Sequence, residues 1–156
     1  MAKIIPYMTF ENSLEAIEYY QKIFGEKILV DRKELDKNSA NFFKTEPDPK
    51  KTIHGVLVIA ENLIMFSDNF SENKISPMTI LINFNGDNEN EFKEAEKIMN
   101  NAKNNQCKIT MQFEKQAWGG AMGAFIDKYK NIWMIHAESF QKNSKENEVF
   151  KKYYKI

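Results

Sequence analysis

This 156-residue sequence predicts an α+β fold of two tandem βαβββ modules, each a four-stranded sheet with one helix on one face. Three observations predict it. Apolar alternation and helical spacing read β-α-β-β-β from Lys3 to Asp68. The same order returns from Pro77 to Ala137, and a repeated element order is a fold-level signal. Between them Asn69 to Ser76 is polar and patternless. The modules are therefore residues 1–68 and 77–137, read together as one compact domain, with a charged tail over 138–156. A sheet with one covered face leaves its other face to be covered or to wall a central cleft.

In the first module, Lys3 to Phe10 is apolar and aromatic with Pro6 inside it, which suits an edge or terminal strand. Asn12 or Ser13 caps a helix in which Leu14, Ile17, Tyr20, Ile23 and Phe24 follow helical spacing, and Gly25 stops it. Lys27 to Lys33 reads as the second strand. Asp36 to Lys51 reads as a long loop anchored only by Phe42 and Phe43, and loops of that length are often lids or simply mobile. Ile53 to Ala60 and Leu63 to Phe66, joined by Glu61-Asn62, form a hairpin ending at Ser67-Asp68.

In the second module, Pro77 to Phe84 is a strand and Glu89 to Lys103 a helix with Phe92, Ala95, Ile98 and Met99 on one face. Cys107 to Phe113 is a strand of alternating pattern. Ala121–Ile126 and Ile132–Ala137 are a closing hairpin around Asp127-Lys128-Tyr129-Lys130-Asn131. Gly119, Gly120 and Gly123, half of the six glycines, crowd its approach and first limb, which predicts a close neighbour, backbone or ligand. Trp118 and Trp133 bracket this unit as packing residues. In the tail, Val149, Phe150, Tyr153 and Tyr154 at helical spacing predict a short amphipathic helix that packs on the body or on a second subunit.

Composition narrows the function. Lys plus Arg and Asp plus Glu each total 22, so no net field recruits nucleic acid, an anionic membrane or acidic partners. Arg32 is the only arginine, which disfavours phosphate or phosphonate clamping by guanidinium forks. Cys107 is the only cysteine, which excludes an internal disulfide and reads as a half-buried structural thiol. The opening Met1-Ala-Lys-Ile-Ile-Pro6 is too short for a signal peptide, and no apolar run is long enough to span a membrane. The expectation is a cytoplasmic protein. No Gly-rich turn leads from a strand into a helix to hold a nucleotide-type donor, and neither histidine has a nominated nucleophile.

The module order and three blocks resemble the vicinal oxygen chelate superfamily, which contains glyoxalase I, extradiol dioxygenases and bleomycin-binding proteins, and within it the PhnB-like branch. The blocks are Pro6-Tyr7-Met8-Thr9-Phe10 with Glu15 to Tyr20 and Phe24-Gly25; His54 to Ile59 with Leu63 to Asp68; and Trp118-Gly119, Gly123, Phe125, Asp127 and Trp133. The resemblance implies a glyoxalase/bleomycin-resistance-type fold with a central cleft, and a homodimer. One departure stands in the last turn, where the branch has Asp-Pro-Phe-Gly and this chain has Asp127-Lys128-Tyr129-Lys130. Loss of the turn glycine predicts a longer or looser hairpin.

The resemblance also implies a divalent metal held by His, Glu or Gln from strands of both modules. The corresponding positions here are Ile5, Met65, Thr79 and Met134, poor ligands for a hard or borderline cation. The expectation is therefore no metal and no cofactor. His54 and His136, with Asp68 and Glu138 near them, are the fallback metal ligands. Against that stands a plainer reading, in which His54 is a structural hydrogen-bonding residue near Trp118 or Asp68 and His136 lies at a strand end in solvent. The 3-demethylubiquinone methyltransferase label of the branch is not supported by these residues. What remains is a small organic molecule bound by Tyr7, Phe43, Met65, Trp118 and Met134 and oriented by His54, with Phe43 as a lid. The alternative is a metal-dependent lyase or dioxygenase with displaced ligands.

Overall fold

The computed structural model describes residues 2–117, 119–141 and 145–154. The chain forms two compact units, Met1–Ser76 and Pro77–Ile156.

In the first unit, β1 (Tyr7–Phe10), β2 (Leu29–Leu35), β3 (Asp48–Ile59) and β4 (Asn62–Asp68) form a sheet of order β1-β4-β3-β2. The β1–β4 pair is parallel and the others are antiparallel. Helix α1 (Ser13–Phe24) starts where the Asn12 side chain accepts from Glu15 N and stops at Gly25, whose φ of 118° a side chain would resist. Its buried stripe is Ala16, Ile17, Tyr20 and Ile23, with the helical spacing that turns one face inward. That face meets Met8, Phe10, Leu57, Ile59, Ile64 and Phe66, all nearly inaccessible to solvent. Phe10 sits edge-on to both Tyr20 and Phe66, at 5.8 and 6.3 Å between ring centroids, the geometry that aromatic quadrupoles prefer.

The start of α1 is tied to the sheet by a buried carboxylate. Asp68 accepts from Ser13 N (2.8 Å), Ser13 Oγ (3.0 Å) and Thr52 N (2.6 Å). The Ser13 and Thr52 hydroxyls pair at 2.7 Å, and Arg32 Nε donates to Thr52 Oγ1 at 2.7 Å. An anion at a helix N-terminus also meets the positive end of the helix dipole. Thr52 reaches this cluster because the β2–β3 register slips between Lys33 and Glu34, re-aiming the residues before His54.

In the second unit, β5 (Thr79–Asn85), β6 (Lys108–Lys115), β7 (Ala121–Ile126) and β8 (Ile132–Glu138) repeat the arrangement as β5-β8-β7-β6. Here the β5–β8 pair is parallel. Helix α3 (Glu89–Asn104; the shorter α2 is described below) is capped by Asn88, which accepts from Asn90 N and Glu91 N. It buries Ala95, Ile98, Met99 and Ala102 against the sheet face carrying Ile82, Phe84, Trp133 and Ile135. Gly123 is required by this packing, since a Cβ there would stand 2.9 Å from Met99 Cε and 3.0 Å from Phe113 Cα. The close neighbour foreseen for that limb is therefore this chain's own backbone and helix. The tail forms α4 (Lys145–Tyr154), with Glu146 and Glu148 in its first turn and Lys151 and Lys152 in its last, each matching the helix dipole. The side chains of Phe150, Tyr153 and Tyr154 lie outside the described residues.

Three expectations need correction. The stretch 36–51 is not a loop: Asp36 caps a short helix, α2 (Lys37–Phe43), by accepting from Ser39 N and Ser39 Oγ, and β3 begins at Asp48. Ala40, only 1% exposed, anchors that helix, and a lone alanine among polar residues carries no visible apolar period. The β3–β4 connection is Ala60-Glu61, with Asn62 already in the strand; both turn residues have positive φ, 48° and 62°, the pattern of a two-residue type I′ turn. The β7–β8 turn is not loose. Asp127 accepts from Tyr129 N, Asn131 N, Asn131 Nδ2 and Trp133 Nε1, all within 3.2 Å, and Lys130 takes the left-handed conformation (φ 72°) that a glycine would ease.

Candidate functional site

Each sheet turns one face to its helix and leaves the other free of it, and strand alternation decides which side chains lie where. In the first sheet the helix-free face carries Tyr7, Met65 and Val56 in one row, since Tyr7 pairs with Met65 and Met65 with Val56. His54, two residues before Val56, shares the face and pairs with Lys33. The Tyr7 and His54 rings are 6.2 Å apart and tilted by 33°, and the Tyr7 hydroxyl reaches Phe66 O at 3.4 Å. Three of the foreseen binding residues, Tyr7, His54 and Met65, are thus brought together on one surface. Phe43 is elsewhere: at the end of α2 it stacks on Phe70 at 4.5 Å and meets Phe42 edge-on. His54 is not the partner of Asp68, whose oxygens are engaged by Ser13 and Thr52.

In the second sheet the helix-free face carries Leu81, Met134 and Ala124 in one row and Asn83, His136 and Met122 in the next. Thr79 pairs with Ile132, so Thr79 and Met134 are offset by two residues along the ladder. Leu81 is 49% exposed, while Ala124 beside Met134 is buried. Trp118 lies outside the described residues.

His136 is not at a strand end in solvent. It sits within β8, with its side chain 16% exposed and Nδ1 3.9 Å from Glu138 Oε2. The same oxygen accepts from Asn83 Nδ2 at 3.0 Å. His136 Nε2 and Asn83 Oδ1 are buried, with no hydrogen-bond partner among the described residues. Asn83 escaped the sequence reading, although the signal was there: asparagine is depleted in strands, and here it interrupts Ile80-Leu81-Ile82-Asn83-Phe84 on the parity of Leu81.

The metal that the family resemblance implies does not fit these residues. Met65 and Met134 offer thioethers, which suit soft metals; Thr79 offers a weak hydroxyl donor, and Ile5, which precedes β1, offers none. Among the described residues no group of three or more His, Cys, Asp or Glu side chains is placed to hold a metal ion. The carboxyl of Asp36 is held below its ordinary pKa, chiefly by the Ser39 hydroxyl and also by the Ser39 backbone N–H, and that is the α2 cap. Among the described residues no helix is long and apolar enough to cross a membrane.

No family model matches the chain, and no curated protein matches its sequence. Solved structures do match. Protein PA1353 from Pseudomonas aeruginosa is 25% identical, with 89% of this chain and 99% of that chain covered and a TM-score of 0.62. The PhnB protein from Bacillus cereus is 19% identical over 86% of this chain and 98% of its own, with a TM-score of 0.61. The fosfomycin resistance protein FosX from Listeria monocytogenes, in a mutant form complexed with Mn(II) and 1S,2S-dihydroxypropylphosphonic acid, is 12% identical. It covers 96% of this chain and 98% of its own, with a TM-score of 0.60. The chain has the two-module glyoxalase/bleomycin-resistance-type fold of the vicinal oxygen chelate superfamily, with a PhnB protein and FosX among its structural neighbours.

Proposed function

We propose that this protein binds a small apolar or aromatic organic molecule on the helix-free face of a sheet, each unit taken by itself, without a family-type metal. The observation that carries this reading is the pair of ladder rows Tyr7–Met65–Val56 and Leu81–Met134–Ala124. They present hydrocarbon, thioether and aromatic surface, and at Met65 and Met134 the family resemblance implies His, Glu or Gln when a metal is held. A dication among such groups loses hydration that nothing replaces. An apolar ligand gains instead: each 100 Å² of apolar surface removed from water contributes about 2.5 kcal/mol, and unbranched methionines adapt to its shape. Tyr7 and His54 supply the polar orientation on the first sheet. Cys107 is the only cysteine, so the chain has no internal disulfide, which supports a cytoplasmic setting.

The test uses methionine methyl groups as probes. In ¹³C-methyl spectra, naphthalene should shift the Met65 and Met134 signals, while stoichiometric Mn(II) should leave their widths unchanged. Absence of any naphthalene shift up to its solubility would refute the binding reading. Selective broadening of either methyl by Mn(II) would instead favour the metal-dependent lyase or dioxygenase alternative.

A further inference from the structure

The apolar rows do not explain the polar group beside them on the second sheet. Asn83 and His136 are register partners on parallel strands, so their side chains emerge side by side. Both point toward Glu138, whose Oε2 accepts from Asn83 Nδ2 at 3.0 Å and stands 3.9 Å from His136 Nδ1. The two contacts set the chemistry of what is left over. Donation to Glu138 fixes the Asn83 amide, which leaves its Oδ1 able only to accept. The nearby carboxylate favours the imidazole proton on Nδ1, so Nε2 presents a lone pair. Both leftover acceptors are buried and unsatisfied among the described residues. Buried polar atoms are nearly always paired, and two such atoms side by side call for a common explanation.

Gly120 lies against this group: a Cβ there would stand 3.3 Å from His136 Nε2 and 2.7 Å from the Ala137 carbonyl oxygen. The backbone at Gly120 therefore packs close beside Nε2, and only a glycine fits there. The next row on the same face is Leu81–Met134–Ala124, so a molecule lying on that row brings one end to the two acceptors.

We infer that Asn83 and His136, positioned by Glu138, form a hydrogen-bond acceptor site that takes a hydroxyl or N–H donor of an otherwise apolar or aromatic ligand. This rests on the apolar-wall reading above and adds to it the polar group the ligand carries. A metal is the weaker occupant, because Glu138 is already engaged by Asn83 and one imidazole with one amide oxygen makes an incomplete set.

The experiment compares 2-naphthol with 2-methoxynaphthalene, which keeps the rings and removes the donor. The unmodified protein should bind naphthol about tenfold more tightly, the effect of one added hydrogen bond in a buried setting. Naphthol alone should move the ¹⁵N resonance of His136 Nε2, a readout that needs no substitution. In Asn83→Leu and His136→Leu the preference should shrink toward one. Equal binding of the two compounds, or an unmoved Nε2 resonance, overturns this site and leaves the apolar wall standing. If neither compound binds, both readings fail. Stoichiometric Zn(II) uptake that shifts His136 overturns the site in favour of a metal.

Discussion

Replacing Lys130 by glycine should stabilise this protein, although it deletes a whole side chain. Lys130 is exposed, with φ at 72°, and its N–H donates to Asp127 O at 3.1 Å across the β7–β8 turn. A left-handed conformation costs an L-residue about 1–2 kcal/mol, because Cβ crowds the following carbonyl oxygen. Glycine removes that cost but gives back about 0.5–1 kcal/mol through the greater freedom of its unfolded chain. The turn geometry does not change, because Asp127 holds it through Tyr129 N, Asn131 N, Asn131 Nδ2 and Trp133 Nε1. The net gain is therefore about 0.5–1 kcal/mol, or roughly 1–4 °C in melting temperature for a chain of this size. Thermal denaturation followed by circular dichroism measures it, with Lys130→Ala as the control that keeps the strain and should be nearly neutral. A lower melting temperature for the glycine variant than for the alanine variant would refute the strain argument.

Glu61→Gly, at the second positive-φ position of the β3–β4 turn, should stabilise for the same reason, and chemical denaturation checks the sign. Gly55→Ala should destabilise by about 1–3 kcal/mol or more, because its Cβ would fall 2.2 Å from Cζ of the fully buried Phe66 ring; an unchanged urea midpoint would show that the ring can move. Asp68→Ala should cost about 2–5 kcal/mol by leaving the Ser13 and Thr52 N–H groups buried and unpaired, measured by urea unfolding against Asp68→Asn, which keeps one acceptor oxygen. The lowered pKa of Asp36 means that its contribution to the α2 cap is present above pH 3.8 and lost as pH falls through the lower folded value. Ser39→Ala should move the Asp36 titration, followed by NMR, back up toward 3.8. The expected homodimer is checked by sedimentation equilibrium at micromolar concentration, where a monomer mass would refute it.

By itself the sequence determined what rests on local periodicity and local chemistry. The α1 and α3 stripes, the cap at Asn12 or Ser13, the Gly25 stop and the repeated βαβββ order are all short-range patterns, and the fold has the stripes, the cap at Asn12, the stop and the order. The residue types at Ile5, Met65, Thr79 and Met134, positions that the family resemblance implies, are likewise legible in the sequence as poor ligands for a hard cation. Tertiary structure decided what depends on partners far away in the chain. Helix α2 is too short and too polar to announce itself, and it exists because Asp36 caps it and Ala40 finds a buried place. Whether Asp68 was a ligand or a structural anchor turned on Ser13, 55 residues away. Lys130 replaces a turn glycine without loosening the hairpin because Asp127 and Trp133 hold the turn from inside, a bond between side chains that turn propensity does not contain. Asn83, His136 and Glu138 converge because β5 and β8 run parallel in one register, and pairing between strands some fifty residues apart is set by how the whole face is buried.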